Sequence, residues 1–146
     1  MGLFNNKPSI KKMLNAGDVN GLTQAFMLAK MQEDISVQKE AVLALGSLKD
    51  RLCVPSLIKI LNDEKLFYSL DQLSLLADIA WALGEIGDER AIAPLKKLTK
   101  IELGTGLGGG SSFEDMMRQA AQIKNAFDNV KDQAKKAIEK INRRIK

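Results

Sequence analysis

The chain has 146 residues, with 22 Lys and Arg against 18 Asp and Glu, one cysteine and no histidine. The absence of histidine excludes imidazole acid–base chemistry, Ser-His-Asp triads and histidine-ligated zinc, and a lone Cys53 forms no intramolecular disulfide. With 45% hydrophobic but only 5% aromatic residues, the composition is that of one domain packed from aliphatics and alanines, which favours helices over sheets.

No window approaches the roughly 18 uninterrupted apolar residues of a membrane span. The start MGLFNNKPSIKK has no apolar stretch resembling a signal peptide, and Asn6 stands where a myristoylation site carries a hydroxyl residue. A soluble cytoplasmic protein without membrane partners is the expectation.

Residues 1–7 read as a frayed start, and Pro8 suits the first turn of a short helix running to about Asn15. Gly17 ends that helix and Asp18 caps the next, whose Val19, Leu22, Ala25, Phe26 and Ala29 share one side of a 3.6-residue period. Residues 8–31 are thus a leading helix pair. A polar break at 32–34 precedes a helix over 35–48, with Val37, Ala41, Ala44, Leu45 and Leu48 as its stripe and Lys49 and Asp50 at the next turn. Cys53 falls on the apolar side of the succeeding helix beside Val54 and Leu57. That is the place of a structural thiol, not of a nucleophile, because no histidine exists to act as its base.

Residues 63–70 form a longer connection, closed by Ser69 and Gln72 at capping-box spacing. In DIAWALGEIGDERAIAPLKKL, residues 78–98, Ile79, Ala82, Leu83 and Ile86 line one side of a helix. Gly87 permits the left-handed backbone that ends it, and Asp88 accepts from the free amides of the next helix, where Ala91, Ile92, Leu95 and Leu98 form a second stripe. Pro94 is expected to bend that helix and free one carbonyl.

Laying ALGSLKDRLCVPSLIKIL over ALGEIGDERAIAPLKKLT brings Ala44, Leu45, Gly46, Leu48, Asp50, Val54 and Leu57 onto Ala82, Leu83, Gly84, Ile86, Asp88, Ile92 and Leu95, a constant offset of 38. Self-similarity at this period signals stacked helix pairs. The two runs resemble the HEAT-like repeat of the phycobilisome-lyase type, an Ala-Leu-Gly-x-Ile-Gly-Asp turn leading into an aliphatic-Pro-x-Leu helix. Residues 35–62 and 70–103 match it; Lys49 replaces its usual glycine, and the second proline comes one residue late, at Pro94 where Ala93 would be expected to hold it. The resemblance implies an all-α, short α-solenoid of about seven to eight helices, with the second helix of each pair lining an inner surface.

The stretch GTGLGGGSS, residues 104–112, satisfies G-x-G-x-x-G through Gly104, Gly106 and Gly109, but a helix precedes it where a dinucleotide site needs a strand, and no lysine comes after Gly110 to make a Walker loop. A flexible linker is expected, with Ser111 and Glu114 capping the last helical segment. From 113 to 146, Met116, Ala120, Ile123, Phe127, Val130, Ala134, Ala137, Ile141 and Ile145 recur every three or four residues. These fit one long helix or a helix pair broken at Asp128 and Asn129, and the pair is preferred because a solenoid needs an end unit over its core.

Asp71, Asp78 and Glu85 recur by sevens on a first helix, with Glu33 and Glu40 at equivalent positions. Successive members stand about 10 Å apart, too far for shared chelation, so a solvated acidic face is expected and no metal or cofactor. The second helices carry Lys59, Lys96, Lys97 and Lys100, a candidate basic inner face. Its competing explanation is helix-dipole complementation and solubility. A second basic segment, Lys131, Lys135, Lys136, Lys140, Arg143, Arg144 and Lys146, faces only Asp132 and Glu139 within residues 131–146. Asp18, Asp50 and Asp88 are expected as structural caps. Trp81 is either an interface anchor or, as its equivalence to Leu43 favours, packing between repeats.

Three functions are compatible with this pattern. The first is a non-catalytic adaptor presenting its concave face to an acidic protein, with self-association as a variant. The second is phosphate-backbone binding to nucleic acid through the same lysines and the basic C-terminal segment. The third is the bilin lyase or chaperone role that the resemblance implies; the iron-dependent hydroxylases built on such repeats use His-Glu pairs and are excluded.

Overall fold

The computed structural model describes residues 9–62, 70–100 and 112–145. Among these the fold is a short helical solenoid of seven α-helices, with two 3-10 turns and no strand. The helices are α1 (Ile10–Ala16), α2 (Val19–Met31), α3 (Ile35–Leu48), α4 (Val54–Leu61), α5 (Leu70–Ile86), α6 (Ile92–Thr99) and α7 (Phe113–Ile145). The glycine-rich stretch up to Ser111, the Ser69 cap, Pro8 and Lys146 lie outside the described residues.

One local device makes four of the turns. A residue in the left-handed region is followed by an aspartate: Gly17 (φ 66°) and Asp18, Glu33 (56°) and Asp34, Lys49 (55°) and Asp50, Gly87 (77°) and Asp88. The left-handed residue ends one helix, and the aspartate accepts from an amide opening the next. Asp18 accepts from Gly21 N (2.9 Å) and Asp34 from Val37 N (3.2 Å), while Asp50 and Asp88 accept from Leu52 N and Arg90 N, both at 2.9 Å. The Glu33–Asp34 turn, a mere polar break in the sequence, belongs to this series.

After Asp50 and Asp88 the chain first winds as 3-10 turns, Arg51–Cys53 and Glu89–Ala91, before α4 and α6 begin. This corrects the expected bend at Pro94. The α-helix starts at Ile92, so Pro94 lies in its first turn, where its missing N–H takes no bond from an established helix. Pro55 occupies the first turn of α4 in the same way.

The expected break at Asp128 and Asn129 is likewise absent. Residues 113–145 form one 33-residue helix. Both residues are exposed, and the buried positions Phe127, Val130, Ala134, Ala137 and Ile141 keep one helical phase across them, so nothing there favours a turn. At the start of this helix Ser112 Oγ accepts from Asp115 N (3.1 Å); the expected cap at Ser111 lies outside the described residues.

Helices α3, α5 and α7 pack side by side with α5 in the middle, α2 covers the other flank of α3, α4 rests on α5, and α6 rests on α7. The three run parallel. Lys39 and Gly46 of α3 and its C-cap Lys49 meet Asp78, Ala82 and Glu85 in order along α5, and Gly84 and Glu85 meet Ala137 and Lys140 in order along α7. Thus α7 takes the place of the first helix of a third repeat. One continuous apolar core joins Ile10 to Ile141, with Leu22, Phe26, Leu45, Leu57, Leu76, Leu83 and Leu95 fully enclosed.

Candidate functional site

In α4 the buried positions Val54, Leu57, Ile60 and Leu61 leave Pro55 and Lys59 outward, and in α6 Leu95 and Leu98 are buried while Lys96 and Lys97 stand exposed. Lys100, the C-cap of α6, is also exposed. Lys59 and Lys97 occupy equivalent positions in successive repeats. None of the four lysines makes an ion pair among the described residues, and neither helix contains an acidic residue. Four cations, on the second helices of two successive repeats and at the C-cap of the later one, therefore keep their charge available to a partner.

The basic C-terminal segment does not form one surface of that kind. Lys140 pairs with Glu85, and Arg144 donates from Nη1 to the carbonyl oxygens of Glu85 (2.9 Å) and Ile86 (3.2 Å), closing the C-terminal end of α5. Lys136 pairs with Asp132 one turn back at 3.0 Å. Lys135 and Arg143 are exposed, and Lys131 is half-buried. Two of the six described cations thus serve the packing of α7 on α5.

The row Asp71, Asp78, Glu85 is not a uniformly solvated face either. Only Asp71 is exposed. Glu85 sits between Lys49 at the C-cap of α3 (3.6 Å) and Lys140 of α7, and hydrogen bonding from Lys140 holds its carboxyl below the usual range. Asp78 lies 3.8 Å from Lys39, and burial pushes its carboxyl up. These acids join neighbouring helices. No group of three or more Cys, Asp or Glu among the described residues is arranged to hold a metal ion.

Asp50 and Asp88 differ although they are equivalent. Asp88 has a fully enclosed side chain that takes Arg90 Nη2 at 2.7 Å and Arg51 Nε at 3.0 Å, and Arg90 Nη2 also donates to the Arg51 carbonyl (3.3 Å). The hydrogen bonds from the Arg90 side chain, then its backbone N–H and Arg51, hold the Asp88 carboxyl well below the usual range against the opposing effect of burial. Arg51 comes from one repeat turn and Arg90 from the next, so Asp88 clamps the two turns together. The sequence offset places Asp50 over Asp88; it gives no sign that Arg51 crosses to the later turn.

Trp81 packs between repeats: its ring edge stands beside Gly46 of α3. Cys53 is enclosed, with its thiol pushed up to about 11 by burial and then by Asp50, as suits an unreactive packing residue. No described helix is long and apolar enough to cross a membrane.

The repeated turn, the two 3-10 starts and the parallel first helices agree with the comparison by family, in which HEAT repeats match residues 25–102, more than half the chain. The chain belongs to the HEAT-repeat family. An uncharacterized protein encoded in the gldA 3′ region of Geobacillus stearothermophilus is 32% identical over 66 residues, 45% of this chain and 28% of that protein. The chain therefore spans little more than a quarter of this relative's length. No solved structure matches. In this HEAT-repeat chain, α3–α4 and α5–α6 are the two helix pairs within the matched segment, and α7 is an additional first-type helix after them.

Proposed function

We propose that this HEAT-repeat chain is a non-catalytic adaptor of the phycobilisome-lyase-like subtype, which presents the lysines of its second helices to an acidic segment of another protein. HEAT repeats commonly mediate protein–protein interaction, and the subtype rests on the turn ALGEIGD. The observation that carries the reading is the set Lys59, Lys96, Lys97 and Lys100: exposed, without ion-pair partners among the described residues, and on or capping helices that contain no acid. Lysines kept unpaired on a rigid scaffold raise the encounter rate with an anionic partner and exclude basic ones. A cytoplasmic location belongs to this reading, and the buried, unpaired Cys53 suits a reducing compartment.

The nucleic-acid alternative draws on the same lysines but loses part of its second surface, because Lys140 and Arg144 are engaged with α5. Fluorescence anisotropy with a labelled Glu-rich peptide and with a labelled DNA duplex separates the two. Binding of the peptide at physiological salt, lost in the quadruple Lys59→Glu, Lys96→Glu, Lys97→Glu, Lys100→Glu variant, supports the adaptor. Binding of the duplex alone, falling steeply with salt, supports the alternative.

A further inference from the structure

Across the row of first helices lies a cleft of about 280 Å³ lined by Leu43 of α3, Ala77, Asp78 and Trp81 of α5, and Asn129 and Gln133 of α7. It involves none of the lysines of the adaptor face. Its volume is below the roughly 300–1,000 Å³ of pockets that enclose a whole small molecule. A cleft of this size suits one long side chain.

The chemistry of the lining narrows the choice. The Asp78 Oδ2 atom is buried and accepts no hydrogen bond among the described residues, although it forms a long ion pair with Lys39. Lys39, the nearest cation, stands 3.8 Å away and gives its hydrogen bond to Ser74 Oγ instead, at 2.6 Å. A partly desolvated carboxylate with only this long ion pair and no hydrogen-bond donor is costly, and a donor brought to the carboxylate by a ligand relieves that cost. Around the cleft, Glu40 precedes Leu43 by one turn, Asp71 precedes Asp78 by two, and Asp128 adjoins Asn129; all three are exposed and lack ion-pair partners among the described residues. The described basic residues at the same spacings are all engaged, Lys39 with Ser74 and Asp78, Lys136 with Asp132 and Lys140 with Glu85, so the unpaired charge around the cleft is acidic and favours a cation. Trp81, half-buried, supplies an aromatic wall, and the Asn129 and Gln133 amides offer acceptor oxygens at the rim.

A planar cation suits all of these at once. We propose that the cleft receives an arginine side chain of a partner polypeptide, with its guanidinium stacked on Trp81 and donating to the Asp78 carboxylate. A guanidinium stacks on indole and donates through several N–H groups in a fixed fork, which the compact ammonium of lysine does not reproduce. Burial raises the Asp78 carboxyl against the opposing pull of Lys39.

Trp81 is the sole tryptophan, so its emission and its indole N–H resonance report on the cleft alone. The full chain is titrated with the capped tripeptide Ac-Gly-Arg-Gly-NH2, and in parallel with its citrulline and lysine counterparts. A saturable response to the arginine peptide is expected, weaker by about tenfold with the citrulline peptide or with Asp78→Asn. The Lys96→Glu, Lys97→Glu variant should titrate like the parent. Asp78→Asn removes a desolvated charge and keeps the helix; Leu43→Arg, at an exposed position, places a competing guanidinium at the cleft and should abolish the response. Absence of saturation with the arginine peptide overturns the proposal. So does equal binding of the citrulline or lysine peptide, or full retention of binding in Asp78→Asn or Leu43→Arg.

Discussion

Gly84 of α5 lies so close to α7 that a Cβ built at position 84 would stand 2.8 Å from the Cα of Ala137. Gly46 of α3 stands in the same relation to Ala82 of α5, again at 2.8 Å. These glycines are mid-helix, where glycine is unfavourable by roughly 1 kcal/mol relative to alanine. Their place is explained by the close approach of two parallel helices, which admits no side chain against a facing alanine. Gly84→Ala is therefore expected to lower stability by about 1–3 kcal/mol through overpacking, despite the gain in helix propensity. Urea denaturation reads the sign directly, and a stabilised variant would show that α7 does not sit so close.

The Asp88 clamp gives a pH-dependent prediction. Its carboxyl is held well below the usual range in the folded chain, so the stability it contributes is fully present above the ordinary carboxylate value of about 4 and is lost as pH falls through the depressed one. Glu85, also depressed, acts in the same direction. Asp88→Asn should flatten the acid limb of a stability-against-pH curve but not abolish it. Asp88→Ala, which loses the cap and both arginine partners, should cost about 2 kcal/mol at neutral pH. An acid limb unchanged in Asp88→Asn would show that the carboxylate does not clamp the two turns.

Much of the scaffold is legible in the sequence because its turns are local. An αL residue followed by an aspartate, repeated with apolar stripes on either side, fixes where helices end and which face is buried. The glycine at Gly17 and Gly87 makes two of these turns visible, and the alignment of Lys49 with Gly87 points to a third; Glu33 carries no such signal, so its turn is hidden. Contacts between distant positions leave no trace of this kind. Lys140 meets Glu85 and Arg144 caps α5 from the last turns of α7, and nothing in the spacing of a basic segment separates cations that serve packing from those left for a partner. Asp128 and Asn129 mislead for a different reason: turn-favouring residues on an exposed helix face are tolerated when the apolar phase continues beneath them.

Glu33 provides a further test. It occupies the left-handed region at φ 56° with a Cβ, a conformation that disfavours L-residues by roughly 1–2 kcal/mol. Glu33→Gly removes that strain while freeing the unfolded chain, two effects of opposite sign. The net expectation is a gain of about 0.5–1 kcal/mol, read as a raised thermal midpoint. The paired control is Gly17→Ala, at φ 66° in the equivalent turn, which should lower the midpoint although nothing stands within 4 Å of its added Cβ.

The continuity of α7 is tested at Asp128, which is exposed and has no ion-pair partner among the described residues. Asp128 lies near the middle of this helix, far from either end of its dipole, and contributes only its weak intrinsic propensity. Asp128→Ala should then raise stability by about 0.5 kcal/mol and increase the helical circular-dichroism signal slightly. At a turn between two helices the same aspartate would cap the second one, and its replacement would lower stability by about 1 kcal/mol. The two arrangements predict opposite signs, so a single denaturation experiment decides between them.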